Sequence, residues 1–432
     1  MDTIEKFNLE KTLNFLYERI KNIRFQALTP EKLKEAYVYF VSFFKFLNID
    51  FPTEVLRIDL KFNEHKEIFC KVIDELAIIG YHYKMGNYIH MALDQVTLDK
   101  NVIIDIGQIM NNRKFYLKKL SLKSSIEIKP ILKEGFTSMN SSIIKIRDGY
   151  LGCIRTVNYR LFKDGAFEIL DPQKKQKSIN YLLNFDNNFN ILDQREITDV
   201  SNYQKFSSVR NIEGLEDIVI FYKNQELWCT CTTLDTNSNK TTDISLCKIE
   251  NDQIVLKYPI KSPIQNNEKN WLPFLNKEGQ ILMLHSYKPL KFLELTLIDD
   301  QVNYQIKNIE QYLNFGKFKG SAAPLDFIID GREGKLLIIH ETVMERYAKY
   351  EPIYSHRFMW IDQSFQVKKL SNSWYFFQIG IEFCKGICYS HTPEEIILTF
   401  SVNDLKSHIG ILEISVIKSM LLDLEDFLLF KD

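Results

Sequence analysis

The stretch from Glu213 to Thr233, EGLEDIVIFYKNQELWCTCTT, holds two short apolar runs on either side of Asn224-Gln225, with the acids Glu216 and Asp217 at the mouth of the first. Alternating apolar residues bounded by turn formers read as a strand pair. Adjacent carboxylates repel, and burial raises the cost of their charged forms. A chain that sets Glu216-Asp217 at a strand entry rather than in the open loop places them where something must answer their charge.

The same unit recurs. A turn followed by an apolar strand appears in DGYLGCIRTV, NQELWCTCTT, EGQILMLHSY, EGKLLIIHET and PEEIILTFSVND, beginning at Asp148, Asn224, Glu278, Glu333 and Pro393. The first spacing is about 75 residues and the others roughly 55 to 60, a period that suits propeller blades better than a sandwich. Ahead of each lies a strand with a polar entry: MNSSIIKI, GLEDIVIF, EKNWLPFL, GSAAPLDFII and IEFCKGICY. Five such units closed in a ring leave no long free edge and bring the five entries to one axis.

Before this region the period changes. Leu9, Leu13, Leu16 and Ile20, then Leu33, Ala36, Tyr37, Phe40, Phe43 and Phe44, follow helical spacing. Thr29 is set to cap a helix, with Pro30 at its first position and Glu31 in its first turn. Gly80 and Gly86 break two further helical runs. The expected fold class is therefore α+β and multidomain: an α-helical domain over 1–128, then an all-β five-bladed β-propeller over 129–432. The aromatic stripe Tyr37, Phe40, Phe43 and Phe44 reads as helix core.

Composition narrows the function classes. Apolar content of 45% and charged content of 26% are those of a globular protein, and a net charge of −1 gives no electrostatic footprint for nucleic acid. No apolar run reaches the roughly 20 residues of a membrane helix. The amphipathic start, MDTIEKFNLEKTLNFLYERI, is not a signal peptide, and seven scattered cysteines fit buried thiols in a reducing, cytoplasmic setting. HExxH and CxxC are absent, as are GxGxxG, the phosphate loop and a nucleophile elbow, so no metal or nucleotide cofactor is expected.

If the repeats align, the funnel gathers Asn140, Arg155, Glu216, Asp217, Lys269, Asn270, His285, Ser321, His340, Glu341, Glu382 and Asp404. Carboxylates and amides in such number suit sugar hydroxyls, which need paired donors and acceptors, and Trp271, Tyr287, Trp360 and Trp374 offer stacking faces. Plain structural readings stand beside these. Asp217 pairs with Arg155, Glu382 with Arg357, Asp404 closes an Asx-turn, and strand-end histidines are hydrogen-bonded core residues.

From about Met139 to Leu424 these motifs, with YSHRFMWID and ILTFSVNDLKSHIGIL, resemble glycoside hydrolase family 130, the β-mannoside phosphorylases, and a related mannosyltransferase/phosphorylase family. The resemblance implies a five-bladed propeller and inverting chemistry on mannoside-type bonds. Asp217 would be the general acid acting through a sugar hydroxyl, with inorganic phosphate or a sugar donor as co-substrate. It implies that Arg155, Lys269 and His285 hold the phosphate. Asn140, Arg155, Glu216, Asn270, Ser321, His340, Glu382 and Asp404 would meet the sugar, Arg155 thus serving both substrate and phosphate and Asp404 lying in the donor subsite. The family's Glu-Asp-x-Arg pattern is broken here, since position 219 is Val. Phosphorolysis, hydrolysis and transfer thus remain alternatives for an oligosaccharide or sugar-phosphate substrate. So does a non-catalytic propeller that binds a glycan or protein while the helical domain docks a partner.

Overall fold

A computed structural model describes residues 118–424, apart from 162–166, 171–174, 209–211, 263–267, 288–289, 299–300, 310–318, 344–352, 372 and 379. Five principal sheets succeed one another along the chain, and their first strands pack side by side around a common axis. The result is a five-bladed β-propeller. The inner strands are Thr137–Ile146, Glu216–Lys223, Leu272–Leu275, Lys319–Ile329 and Glu382–Tyr389, which open blades 1 to 5. Each is followed outward by antiparallel partners; in blade 2 these are Glu226–Thr233, Asp243–Glu250 and Gln253–Ile260.

The strand sequences are apolar in runs rather than strictly alternating because both faces of each blade are covered. In Arg332–Val343 of blade 4, Leu336 and Ile338 enter the cluster shared with blade 5, while Leu337 and Ile339 enter the one shared with blade 3. One such cluster fills each of the five gaps. Cys153 and Leu182 meet Ile218 and Cys247 between blades 1 and 2. Trp228 and Leu246 meet Trp271 and Met283 between blades 2 and 3. Tyr150 and Ile154 meet Ile397 and Ile409 between blades 1 and 5. The six described cysteines are free and buried.

Two features correct the expected fold class. The described residues are almost entirely strand, with one short helix, Ile414–Met420, so their class is all-β rather than α+β. Most of the expected helical domain, residues 1–117, lies outside the described residues. Where the expectation overlaps them it is overturned. Ser124–Ile128 is a strand that pairs antiparallel with Lys406–Glu413, from Ser124 opposite Ile411 to Ile128 opposite Ser407. It completes blade 5 with chain from ahead of blade 1 and so latches the ring. Ile128 is 5% exposed, packed among Ile143, Ile397 and Ile409. Five residues of SSIEI carry too little helical periodicity to be told from the end of a helical run, and their partner lies some 280 positions away in sequence. Among the described residues no helix is long and apolar enough to cross a membrane.

Candidate functional site

The inner strands of four blades are interrupted. Register breaks between Met139 and Ser142 in blade 1, between Glu216 and Val219 in blade 2, between Gly320 and Ala322 and again between Ala322 and Leu325 in blade 4, and between Cys384 and Gly386 in blade 5. A bulge leaves its extra residue out of the ladder and re-aims the side chain. The residues re-aimed include Asn140, Asp217 and Lys385, with Ser321 at the blade 4 break. Asn140 has φ 46° and Asp217 φ 54°, the left-handed region that Asn and Asp tolerate best, and Asn270 adopts φ 64° just ahead of the blade 3 strand. Gly214, at φ +95°, lets the chain press against the Ser178 carbonyl, which no Cβ would permit, and so carries Glu216-Asp217 onto blade 1.

There the charge of the two acids is answered. Arg155, from the second strand of blade 1, donates from Nη2 to Glu216 Oε1 at 2.6 Å and from Nη1 to Asp217 Oδ1 at 3.1 Å. Its Nε donates to Ser178 Oγ at 3.0 Å. Asn140 Nδ2 donates to the same Asp217 oxygen at 2.8 Å, and Asn140 Oδ1 accepts from Ser401 Oγ of blade 5. Lys269, at the entry of blade 3, donates to Glu216 Oε2 at 2.9 Å while its side chain remains 46% exposed. Blades 1, 2 and 3 thus meet at Glu216 and Asp217, and blade 5 holds Asn140 in place through Ser401.

Burial by itself would raise the Asp217 carboxyl, but Arg155, then Lys385 and Lys269, with the Asn140 hydrogen bond, hold it well below the usual range. Glu216 is likewise lowered, burial being outweighed by Arg155 and Lys269. Asp404 behaves oppositely. It sits at φ 52° in the turn after Glu395–Val402, where burial, with the Asp217 charge, pushes its carboxyl up to about 6 against the pull of Arg155. Tyr159 completes the cluster: burial first, then the charges of Asp404, Glu216 and Asp217, opposed by Arg155, raise its hydroxyl to about 12.

Other residues expected at the funnel serve the scaffold. Glu382 is fully buried and accepts backbone N–H bonds from Phe376, Phe377 and Gln378 at 2.6, 2.8 and 3.0 Å, so it organises that loop. Ser321 Oγ donates to the Cys384 carbonyl. His340 is 2% exposed, set edge-on to Phe383 at 4.8 Å and held neutral by burial. His285 faces Trp271 at 4.8 Å and lies 3.9 Å from Glu268, too far for a hydrogen bond, so it packs on blade 3 rather than joining the Asp217 cluster. The Asn270 Oδ1 is buried and unpartnered, an open acceptor beside Lys269. Trp271, Trp360 and Trp374 are 2%, 2% and 0% exposed, core residues with no face left for a sugar ring. The side chains of Tyr287 and Glu341 lie outside the described residues.

Lys385 and Tyr159 were not in the expected set. Lys385 was legible in principle: CKGICY aligned on EDIVIF sets Lys385 opposite Asp217, whereas Glu382 drew the register three residues early. Tyr159 follows the second strand of its blade and has no repeat signature.

Among the described residues no group of His, Cys, Asp or Glu could hold a metal ion. No family model and no curated protein matches the chain. Solved structures do resemble it. One is a β-1,2-mannobiose phosphorylase from Listeria innocua, in complex with β-1,2-mannobiose, at 13% identity and TM-score 0.46, covering 68% of this chain and 94% of that one. Another represents glycoside hydrolases of family 130 that target β-1,2 mannosidic linkages in Candida mannan, at 10% identity and TM-score 0.48, covering 69% and 96%. A third is a GDP-Man-dependent mannosyltransferase from Leishmania mexicana, at 10% identity and TM-score 0.44, covering 68% and 90%. Proteins of similar fold therefore include phosphorylases, hydrolases and a transferase.

Proposed function

We propose that the chain is a carbohydrate-active enzyme that cleaves or forms mannoside-type glycosidic bonds, with Asp217 as its general acid. The observation that carries this reading is the Asp217 carboxyl itself, re-aimed by a bulge and tied through one oxygen to Asn140 and Arg155. Its second oxygen is left to work on a ligand. The choice of a mannoside comes from the motif resemblance.

Three cations keep Asp217 ionised in the free site, and an ionised carboxylate cannot protonate a leaving oxygen. An anionic co-substrate changes that balance. A phosphate held near Lys269 offsets the cationic charge and raises the carboxyl, so phosphate binding and proton uptake by Asp217 reinforce each other. The protonated Asp217 then gives its proton to the glycosidic oxygen through a sugar hydroxyl. As the carbon–oxygen bond to the leaving sugar breaks, a phosphate oxygen bonds to the anomeric carbon from the opposite face, with inversion. One carboxylic acid suffices because the anion needs no base.

The opposed displacement of Asp217 and Asp404 favours a second reading, hydrolysis. There Asp404 gives the proton and ionised Asp217 draws one from water, since two carboxyl groups pushed apart in pKa divide acid and base roles.

The test is turnover of β-1,2-linked and other manno-oligosaccharides with and without inorganic phosphate, and of GDP-mannose with sugar acceptors, for the full chain and for Asp217→Asn. Mannose 1-phosphate formed only with phosphate, and lost in the variant, is the expected result. Free mannose formed without phosphate selects the second reading. Saturable sugar binding with no product would make the propeller a binding module, and an unchanged rate in Asp217→Asn would remove that residue from the chemistry.

A further inference from the structure

The cations of the site are unequally committed. Arg155 spends Nε on Ser178, Nη1 on Asp217 and Nη2 on Glu216, and Lys269 gives one bond to Glu216. Two cations and two carboxylates close on themselves. Lys385 is left over. It is 2% exposed and among the largest fully buried side chains, yet makes no hydrogen bond or ion pair with a described residue. Its Nζ lies 5.7 Å from the centroid of the Phe383 ring.

The stem of Lys385 is buried while its ammonium has no hydrogen-bond acceptor among the described residues, and N–H donors not engaged by the protein make it a strong anion ligand. The backbone forces it there. The bulge between Cys384 and Gly386 turns Lys385 out of the ladder, and the Cys384 carbonyl is occupied by Ser321. Gly386 lets the strand close onto blade 1, since a Cβ there would run into Thr399 Oγ1 and stand 2.9 Å from the Ile143 nitrogen. Lys385 also lines an axial cavity of about 340 Å³ with Ser142, Val219 and Ala323, and its charge reaches Asp217, Lys269 and Arg155.

We propose that Lys385 binds the anionic oxygens of the co-substrate, a phosphate either free or carried on a sugar donor, with Lys269 as its partner across the axis. This rests on the carbohydrate-enzyme reading and adds to it a specific anion ligand on blade 5.

Isothermal titration calorimetry of the full chain with inorganic phosphate, with GDP-mannose and with mannobiose, repeated on Lys385→Met and Lys385→Arg, tests it. Lys385→Met should weaken phosphate or GDP-mannose binding about 10-fold or more, the worth of a charge-assisted hydrogen bond, and leave mannobiose within about 2-fold. Lys385→Arg should restore most of the loss. A fall for inorganic phosphate identifies the free anion, and a fall for GDP-mannose alone identifies the donor. Equal anion affinity in wild type and Lys385→Met overturns the proposal, as does the absence of anion binding by wild type. A wild type that binds the anion but no sugar sinks the carbohydrate reading and leaves the anion comparison intact. Lys277→Met, which removes an exposed lysine that pairs with Glu333 away from the cavity lining, should change none of these affinities.

Discussion

Arg155 and Glu216 belong to different blades and meet in a 2.6 Å hydrogen-bonded ion pair, with both side chains under a tenth exposed. That pair is what lets two adjacent acids sit at the mouth of a strand. Removing the guanidinium leaves two carboxylates buried together, so Arg155→Met should destabilise the fold by about 3–5 kcal/mol in urea denaturation. Adding Glu216→Gln should recover part of it, because the stranded charge is the cost. A loss below about 1 kcal/mol would show that water already answers these acids.

Asp217→Asn keeps the oxygen that accepts from Asn140 and Arg155. The variant should therefore still fold, with a thermal midpoint lowered at neutral pH by the lost attraction to the three cations, while turnover falls by about 100-fold or more. With one negative charge gone among three cations, inorganic phosphate should bind more tightly in calorimetry. Weaker phosphate binding would contradict the charge balance drawn here.

The Asp404 carboxyl, pushed up to about 6 mainly by burial, gives a pH signature. A carboxyl whose folded pKa exceeds its ordinary 3.8 holds its proton more tightly in the folded state. Its penalty is absent below about pH 4, grows as pH rises, and is complete above about pH 6. Asp404→Asn should thus be more stable than wild type at pH 7.5, by on the order of 1–3 kcal/mol, with the gap closed by pH 4. Asp217 has the opposite sign. Its lowered carboxyl lends stability above about pH 4 that is lost as pH falls. A gap for Asp404→Asn that does not change with pH would remove Asp404 from the buried cluster.

Ile128 tests the latch. It lies 5% exposed between blades 1 and 5, so Ile128→Ala should lower the stability of the propeller by about 2–4 kcal/mol. Were this residue the tail of a separate helical domain, the propeller would melt unchanged.

The fold was legible in part. Turn-and-strand units starting at Asp148, Asn224, Glu278, Glu333 and Pro393 mark the five blades, because both faces of a blade are buried and leave apolar runs that punctuation makes countable. Ser124–Ile128 escaped because its meaning lies wholly in pairing with Lys406–Glu413. In the site, Asn140, Arg155, Glu216, Asp217 and Lys269 were named from residue type and repeat position, and they converge. Glu382 was named on the same grounds and instead binds three backbone N–H groups, because its register falls short of the bulge.

The sequence by itself determined the strand runs, the count of blades and the chemical character of their entries, since these are local properties written in apolar runs and turn residues. Tertiary structure alone decided which polar residues face the axis and which close the core. That choice depends on where a ladder slips by one residue and on which distant strand lies alongside. The alignment of CKGICY on EDIVIF gives Lys385 its repeat position, but only the bulge at Cys384–Gly386 and the closing of blade 5 onto blade 1 bring its charge to bear on Asp217.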